Sequence, residues 1–155
     1  MILGGLYEIW NILYKNLEHK RTDEQRVNPD QRLIKEMIIF IQKNYQRELS
    51  LGEISAQGGV GKTKCTEIFK RYTKMTPIEY LKSYRIEKAA VLLEETDVSI
   101  SDIAYEVGFS GASYFSEMFR QVTGYTPLKY RKMSKDKKDK SRYEEIYVHH
   151  KTADN

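Results

Sequence analysis

The chain has 155 residues, enough for one ordinary core or for two small ones that share a helix. Its net charge of +4 and a pI near 9.0 favour anionic partners without naming one. A single cysteine, Cys65, excludes an internal disulfide framework and suits a reducing, cytoplasmic compartment, and no apolar run is long enough to span a bilayer.

The opening "MILGGLYEIW" has neither a basic segment nor a small-residue cleavage site, so no signal peptide is expected. Leu3, Leu6, Trp10, Leu13 and Leu17 follow a 3-4-3-4 spacing, a heptad-like seam too short for a stable isolated coiled coil. Three readings stay open for it: a homodimerisation helix over 3–17, the remnant of a sensor domain, or a terminal helix docked on the chain's own core. The charged stretch "EHKRTDEQRVN" (18–28) completes this N-terminal piece, residues 1–28, and links it to the rest of the chain.

A lead helix is predicted to start at Pro29, with Asn28 as its N-cap and Leu33, Ile34, Met37, Ile38 and Ile41 as one apolar stripe. Next comes an internal duplication. "FKRYTKMTPIEYLK" (69–82) matches "FRQVTGYTPLKYRK" (119–132) at an offset of 50, through Phe69/Phe119, Thr73/Thr123, Thr76-Pro77/Thr126-Pro127 and Tyr80/Tyr130. Upstream, "LSLGEI" matches "VSISDI" and Gly59 matches Gly108, both at an offset of 49, so the extra residue falls inside a turn. Each repeat opens on a capping-box pattern, Ser50-x-x-Glu53 and Ser99-x-x-Asp102. A short helix, a glycine turn and a second helix (Lys62 to Tyr72, and Ala112 to Val122) complete a helix-turn-helix in each. Between the repeats, Thr76 and Glu79 cap a linker helix over 77–94, whose Ile78, Leu81, Ile86, Ala89, Ala90 and Leu93 would serve both halves. The expected fold is all-α: a lead helix, a helix-turn-helix at 51–72, the linker helix, and a helix-turn-helix at 100–122.

The stretch "ISDIAYEVGFSGASYFSEMFRQVTGYTPLKYR" (100–131) resembles the C-terminal signature of the AraC/XylS family of bacterial transcription regulators. The first repeat matches the same order less closely, and "YRIEKAAVLLEETDVSI" resembles the family's linker helix. The resemblance covers about residues 31–132. It implies an AraC-type, homeodomain-like DNA-binding domain (29–132) whose two recognition helices enter successive major-groove segments of double-stranded DNA. It makes RNA polymerase a candidate protein partner and implies no cofactor. Successive grooves lie about 34–36 Å apart, and a linker of this length spans about 27 Å, so the flanking helices must supply the rest. Otherwise the DNA bends, or one helix sits out.

Periodicity sorts the faces of the two recognition helices. Cys65, Ile68, Phe69 and Tyr72 point inward in the first, as do Phe115, Met118, Phe119 and Val122 in the second. By resemblance the base-reading positions fall on Lys62, Thr63, Thr66 and Glu67, and on Ala112, Ser113, Ser116 and Glu117. Family members often carry arginine where Glu67 and Glu117 stand, and serine where Gly61 stands. Each glutamate has two readings: it accepts from cytosine N4, or it pairs along its own helix, Glu67 with Lys70 or Arg71 and Glu117 with Arg120. Ser110 is expected to cap the second recognition helix, where hydroxyls also suit a phosphate. Lys62, Lys64, Lys70, Arg71 and Arg120 are candidate phosphate contacts, or simply a solvated face.

Residues 133–155 are expected to be a disordered basic tail: "RKMSKDKKDKSR" carries seven Lys/Arg against two Asp with no apolar period. No catalytic or metal constellation is apparent. "GGVGKTKC" lacks the phosphate-loop spacing, Cys65 falls on a core-facing position, and His149 and His150 are given no role. The rival to a DNA reader is a protein-binding module with the same fold.

Overall fold

The computed structural model describes residues 28–152, and among them are seven helices and no strand. In chain order these are α1 (Pro29–Asn44), α2 (Leu51–Gln57), α3 (Lys62–Thr73), α4 (Pro77–Glu95), α5 (Ile100–Glu106), α6 (Ala112–Thr123) and α7 (Pro127–Thr152). The seam over 3–17 lies outside the described residues.

Short polar signals set the helix starts. Asn28 Oδ1 accepts the Asp30 N–H at the head of α1, with Pro29 in the first turn. Ser50 and Glu53 form a complete capping box on α2, and Thr76 and Glu79 another on α4. The expected box on α5 forms only by half. Ser99 Oγ accepts the Asp102 N–H, but Asp102 bonds the Ser99 hydroxyl, its shorter side chain not returning to the Ser99 backbone. The repeated threonines close the recognition helices identically. Thr73 Oγ1 donates to the Phe69 carbonyl and accepts the Met75 N–H, and Thr123 does the same with Phe119 and Tyr125.

Two cores share α4. Ile34, Met37, Ile38 and Ile41 of α1 pack with Ile54, Cys65, Ile68 and Phe69 against Tyr80 and Leu81. Farther along α4, Ile86, Ala89, Ala90 and Leu93 pack with Ile103, Val107, Phe109, Phe115 and Phe119. The linker thus gives its first half to one motif and its second half to the other, at roughly 28 Å end to end.

The two halves meet at Arg85. Its Nε donates to the Tyr45 carbonyl at 2.7 Å and its Nη2 to the Arg47 carbonyl at 2.8 Å. Its guanidinium lies 5.8 Å from the centre of the Phe109 ring, and burial pulls its pKa below the usual arginine range. Gly108 passes so close to this junction that a Cβ there would stand 2.6 Å from the Tyr45 carbonyl oxygen and 2.9 Å from Arg85 Nε, at φ +99°. Its repeat partner Gly59 also has positive φ, +62°, but nothing lies within 4 Å of its missing Cβ.

The disordered tail expected after residue 132 is corrected: α7 runs on to Thr152. Arg131, Lys135 and Lys138 recur at helical spacing on one stripe, which packs on a polar target rather than a core. Arg131 Nε donates to the Leu93 carbonyl at 3.3 Å, Lys138 Nζ to the Glu94 carbonyl at 2.8 Å, and Lys135 pairs with Asp97. Cations thereby satisfy carbonyls left open at the α4 C-terminus. Tyr130 adds a hydroxyl bond to the Glu94 carboxylate.

These contacts predict two stability results. Gly59→Ala should cost about 1 kcal/mol, the ordinary penalty for a left-handed non-glycine residue, and Gly108→Ala roughly 3–5 kcal/mol, because strain and overlap add; urea denaturation would compare them. Backbone bonds from Ser50 and Thr76 hold the Glu53 and Glu79 carboxyls below their usual pKa. A depressed folded-state pKa stabilises above the unfolded value and is lost as pH falls through the folded one. The melting temperature should therefore hold from pH 8 to 5 and fall below about pH 4.5; Glu53→Gln should flatten part of that fall.

Candidate nucleic-acid interface

The turn before each recognition helix delivers the helix start without a side-chain cap. Gly61 and Gly111 occupy the N-cap positions of α3 and α6, and neither start carries a side-chain cap bond. The expected cap by Ser110 is corrected: the additional residue in the second turn moves the cap position one place on, to Gly111. First-turn N–H groups at both helices are left for an outside acceptor, the arrangement that suits a phosphate oxygen.

On α3, Cys65, Ile68 and Phe69 are buried and Tyr72 is half-buried, while Lys62, Thr63, Lys64, Glu67 and Lys70 are exposed and Thr66 is half-buried. On α6, Phe115 and Phe119 are buried and Met118 and Val122 half-buried, with Ser113, Glu117 and Arg120 exposed and Ala112 and Ser116 half-buried. Ser110 is exposed in the turn ahead of them. The outer face of α6 therefore carries small hydroxyl or methyl groups at its N-terminal end and longer charged groups one turn later, whereas α3 opens on Lys62, Thr63 and Lys64, so its hydroxyls stand among lysines from the first turn. Tyr114 departs from the apolar pattern around it: it remains 47 % exposed, edge-on to Phe109, with Lys82 Nζ 5.6 Å from its ring centre.

The charged groups are engaged unequally. Glu117 accepts from Arg120 Nη2 at 2.8 Å, Arg120 Nε at 3.3 Å and Gln121 Nε2 at 3.1 Å. The Arg120 bond is the main cause that holds its carboxyl below the usual glutamate range. On α3 the expected pairing of Glu67 with Lys70 or Arg71 is not formed: Arg71 instead reaches Asp30 of α1 at 2.6 Å, Lys64 reaches the same oxygen at 3.3 Å, and Lys70 does not approach Glu67 within ion-pair distance. Among the described residues, Lys62, Lys70 and Glu67 enter no ion pair. Asp30 had no signal in the sequence: it reads as an ordinary acidic residue in a first turn, and its partners lie 34 and 41 positions away.

Among the described residues, the one thiol near the interface is sequestered. Cys65 is fully buried with its thiol beside the Met37 sulfur, and burial pushes its pKa up to about 11. Among the described residues, no three His, Cys, Asp or Glu side chains are placed to hold a metal, and no helix is long and apolar enough to cross a membrane.

Residues 54–133 match a family model described as a helix-turn-helix domain. The chain is 32 % identical over 139 residues to YdeC, an uncharacterized HTH-type transcriptional regulator of Bacillus subtilis strain 168, covering 84 % of this chain and 47 % of YdeC. It is 32 % identical over 105 residues to the melibiose operon regulatory protein of Escherichia coli K12, covering 68 % of this chain and 35 % of that one. The chain thus spans half or less of the length of these relatives. Among solved structures, a transcriptional regulator from Chromobacterium violaceum with an AraC-type DNA-binding domain superposes with a TM-score of 0.64 at 29 % identity, covering 67 % of this chain and 93 % of that one.

A thiol with so high a pKa and no exposure should be inert. Under native conditions at pH 8, Ellman's reagent should titrate no thiol within minutes, and one per chain in guanidinium; fast native reaction would contradict the placement of Cys65.

Proposed function

The chain belongs to the AraC/XylS family of helix-turn-helix transcription regulators, and from that premise we propose that it binds double-stranded DNA sequence-specifically, presenting α3 and α6 to successive major-groove segments. The observation that carries this reading is the paired design of the two helix starts. Each has a glycine cap and first-turn amides with no side-chain cap bond, and each presents outward hydroxyls, Thr63 and Thr66 on α3 and Ser113 and Ser116 on α6, on a face whose opposite side is core.

The roles follow from chemistry. The open amides of α3 and α6 and Lys62 and Lys70, which are unpaired among the described residues, meet phosphate oxygens and set the register. Thr63, Thr66, Ser113 and Ser116 offer hydroxyls to base edges, and Ala112 a methyl to thymine. Glu117 has its carboxylate taken up by Arg120 and Gln121, so it positions Arg120 toward the backbone and does not read a base. Glu67 is the carboxylate that keeps acceptor capacity for cytosine N4.

Further parts of the proposal are a cytoplasmic, nucleoid-associated and non-enzymatic protein, RNA polymerase as its protein partner, and a homodimer through residues 3–17. The heptad-like seam supports the dimer, and the transcription regulators among its relatives support the polymerase contact. The second reading, a protein-binding module, draws on one observation: carboxylates already neutralise Lys64, Arg71 and Arg120.

Selection from a random duplex pool, followed by equilibrium binding of the recovered sequence between 50 and 200 mM salt, separates the two. A DNA reader should yield an enriched motif whose affinity falls steeply with salt. Lys62→Ala and Lys70→Ala should each lower the log–log slope by about 0.9. Absence of enrichment would contradict the reading and favour the module.

A further inference from the structure

The first turn of α1 is fastened to the first recognition helix. Asp30 Oδ2 accepts from Arg71 and from Lys64, and Asn28, the cap of the same helix, donates from Nδ2 to Tyr72 Oη at 3.4 Å. Lys64 and Arg71 stand seven residues apart, so they share one stripe of α3 across two turns, and one carboxylate serves both. The Asp30 side chain retains 16 % exposure, whereas Lys64 and Arg71 retain 45 % and 55 %.

That imbalance decides how freely the cations can leave. A lysine or arginine moving to a phosphate would strand a poorly hydrated carboxylate, beside a polyanion that repels it. The Glu117–Arg120 pair behaves differently. Its carboxylate is 49 % exposed, its partner is three residues away on the same helix, and water can replace the arginine at little cost.

Resting on the DNA-binding reading above, we propose that Asp30 is a positioning residue of the DNA interface. It withholds Lys64 and Arg71 from the phosphate backbone, so that α3 itself offers Lys62 and Lys70. Two fewer backbone contacts lower the sequence-independent part of the affinity and leave more of the binding to Thr63, Thr66 and Glu67 at base edges. The same carboxylate sits at the entry to α1, where the chain arrives from residues 1–27, so any pull on that entry bears on the charge that α3 presents.

The test is equilibrium binding of the full chain to the selected duplex and to a scrambled one, from 50 to 200 mM potassium chloride. Asp30→Asn should steepen the log–log slope by up to about 1.8, at roughly 0.9 per released cation, and tighten binding to both duplexes at low salt. D30N/R71A should return about half of that increase. In the otherwise wild-type chain, Arg71→Ala should change the slope less than half as much as Lys70→Ala does. A merely structural role would instead lower the melting temperature of D30N and weaken binding with an unchanged slope, which overturns the proposal. Equal slope losses for R71A and K70A overturn it too, even if D30N does not fold. A wild-type chain that binds no duplex overturns the regulator reading and this inference with it. D30N with the wild-type slope, in a chain that binds, overturns this inference alone.

Discussion

Beyond the shared helix α4, the two motifs are joined through the guanidinium of Arg85. It leaves the middle of α4 between the two cores and bonds the carbonyls of Tyr45 and Arg47, at the end of α1 and in the loop after it. On its other side lie Gly108 and the Phe109 ring, the turn of the second motif. A single half-buried cation therefore touches the lead helix, the linker and the second helix-turn-helix. Without it, α4 would still join two small cores, but apolar packing alone, from α4 and from Tyr45, would set their relative rotation. Carbonyl bonds are directional where apolar contact is not. Tyr45 packs against both clusters and seals the same junction from its side chain. The price of this tightness is a position that admits only glycine.

The duplication explains why the halves look alike, and the polar contacts explain why they differ. Thr73 and Thr123 close their helices by the same bonds, and Gly61 and Gly111 open them in the same way. Charge breaks the symmetry. In the first motif a carboxylate from another helix holds two cations of α3, while in the second the carboxylate is on the recognition helix itself and holds one. The first recognition helix keeps Lys62 and Lys70 unpaired among the described residues, and α6 carries no cation besides Arg120. The two helices thus present different numbers of unpaired cations among the described residues.

Much of the fold was legible because apolar periodicity and caps act locally. The stripe Ile34–Met37–Ile38–Ile41, the boxes at Ser50 and Thr76, and the division of α4 between two cores all follow from residues within a turn or two of one another. Features that rest on distant polar partners were not legible. The Arg131–Lys135–Lys138 stripe looked like a solvated tail because its target is the carbonyl end of another helix, and a search for apolar periods passes over it. Asp30 and Arg85 act across 34 to 41 residues, a separation that no local spacing records. Ser110 failed as a cap for a smaller reason: one inserted residue moved the helix start to Gly111, and turn register cannot be fixed from hydroxyl preference alone.

The central claim is that the Arg85 junction holds α3 and α6 so that both address one face of a duplex. Hydroxyl-radical and dimethyl-sulfate footprinting of the chain on one selected duplex tests it most directly. The account predicts two protected major-groove segments on the same face, with centres about 10–10.5 base pairs apart. Protection of a single segment, or of two segments on opposite faces, would contradict it.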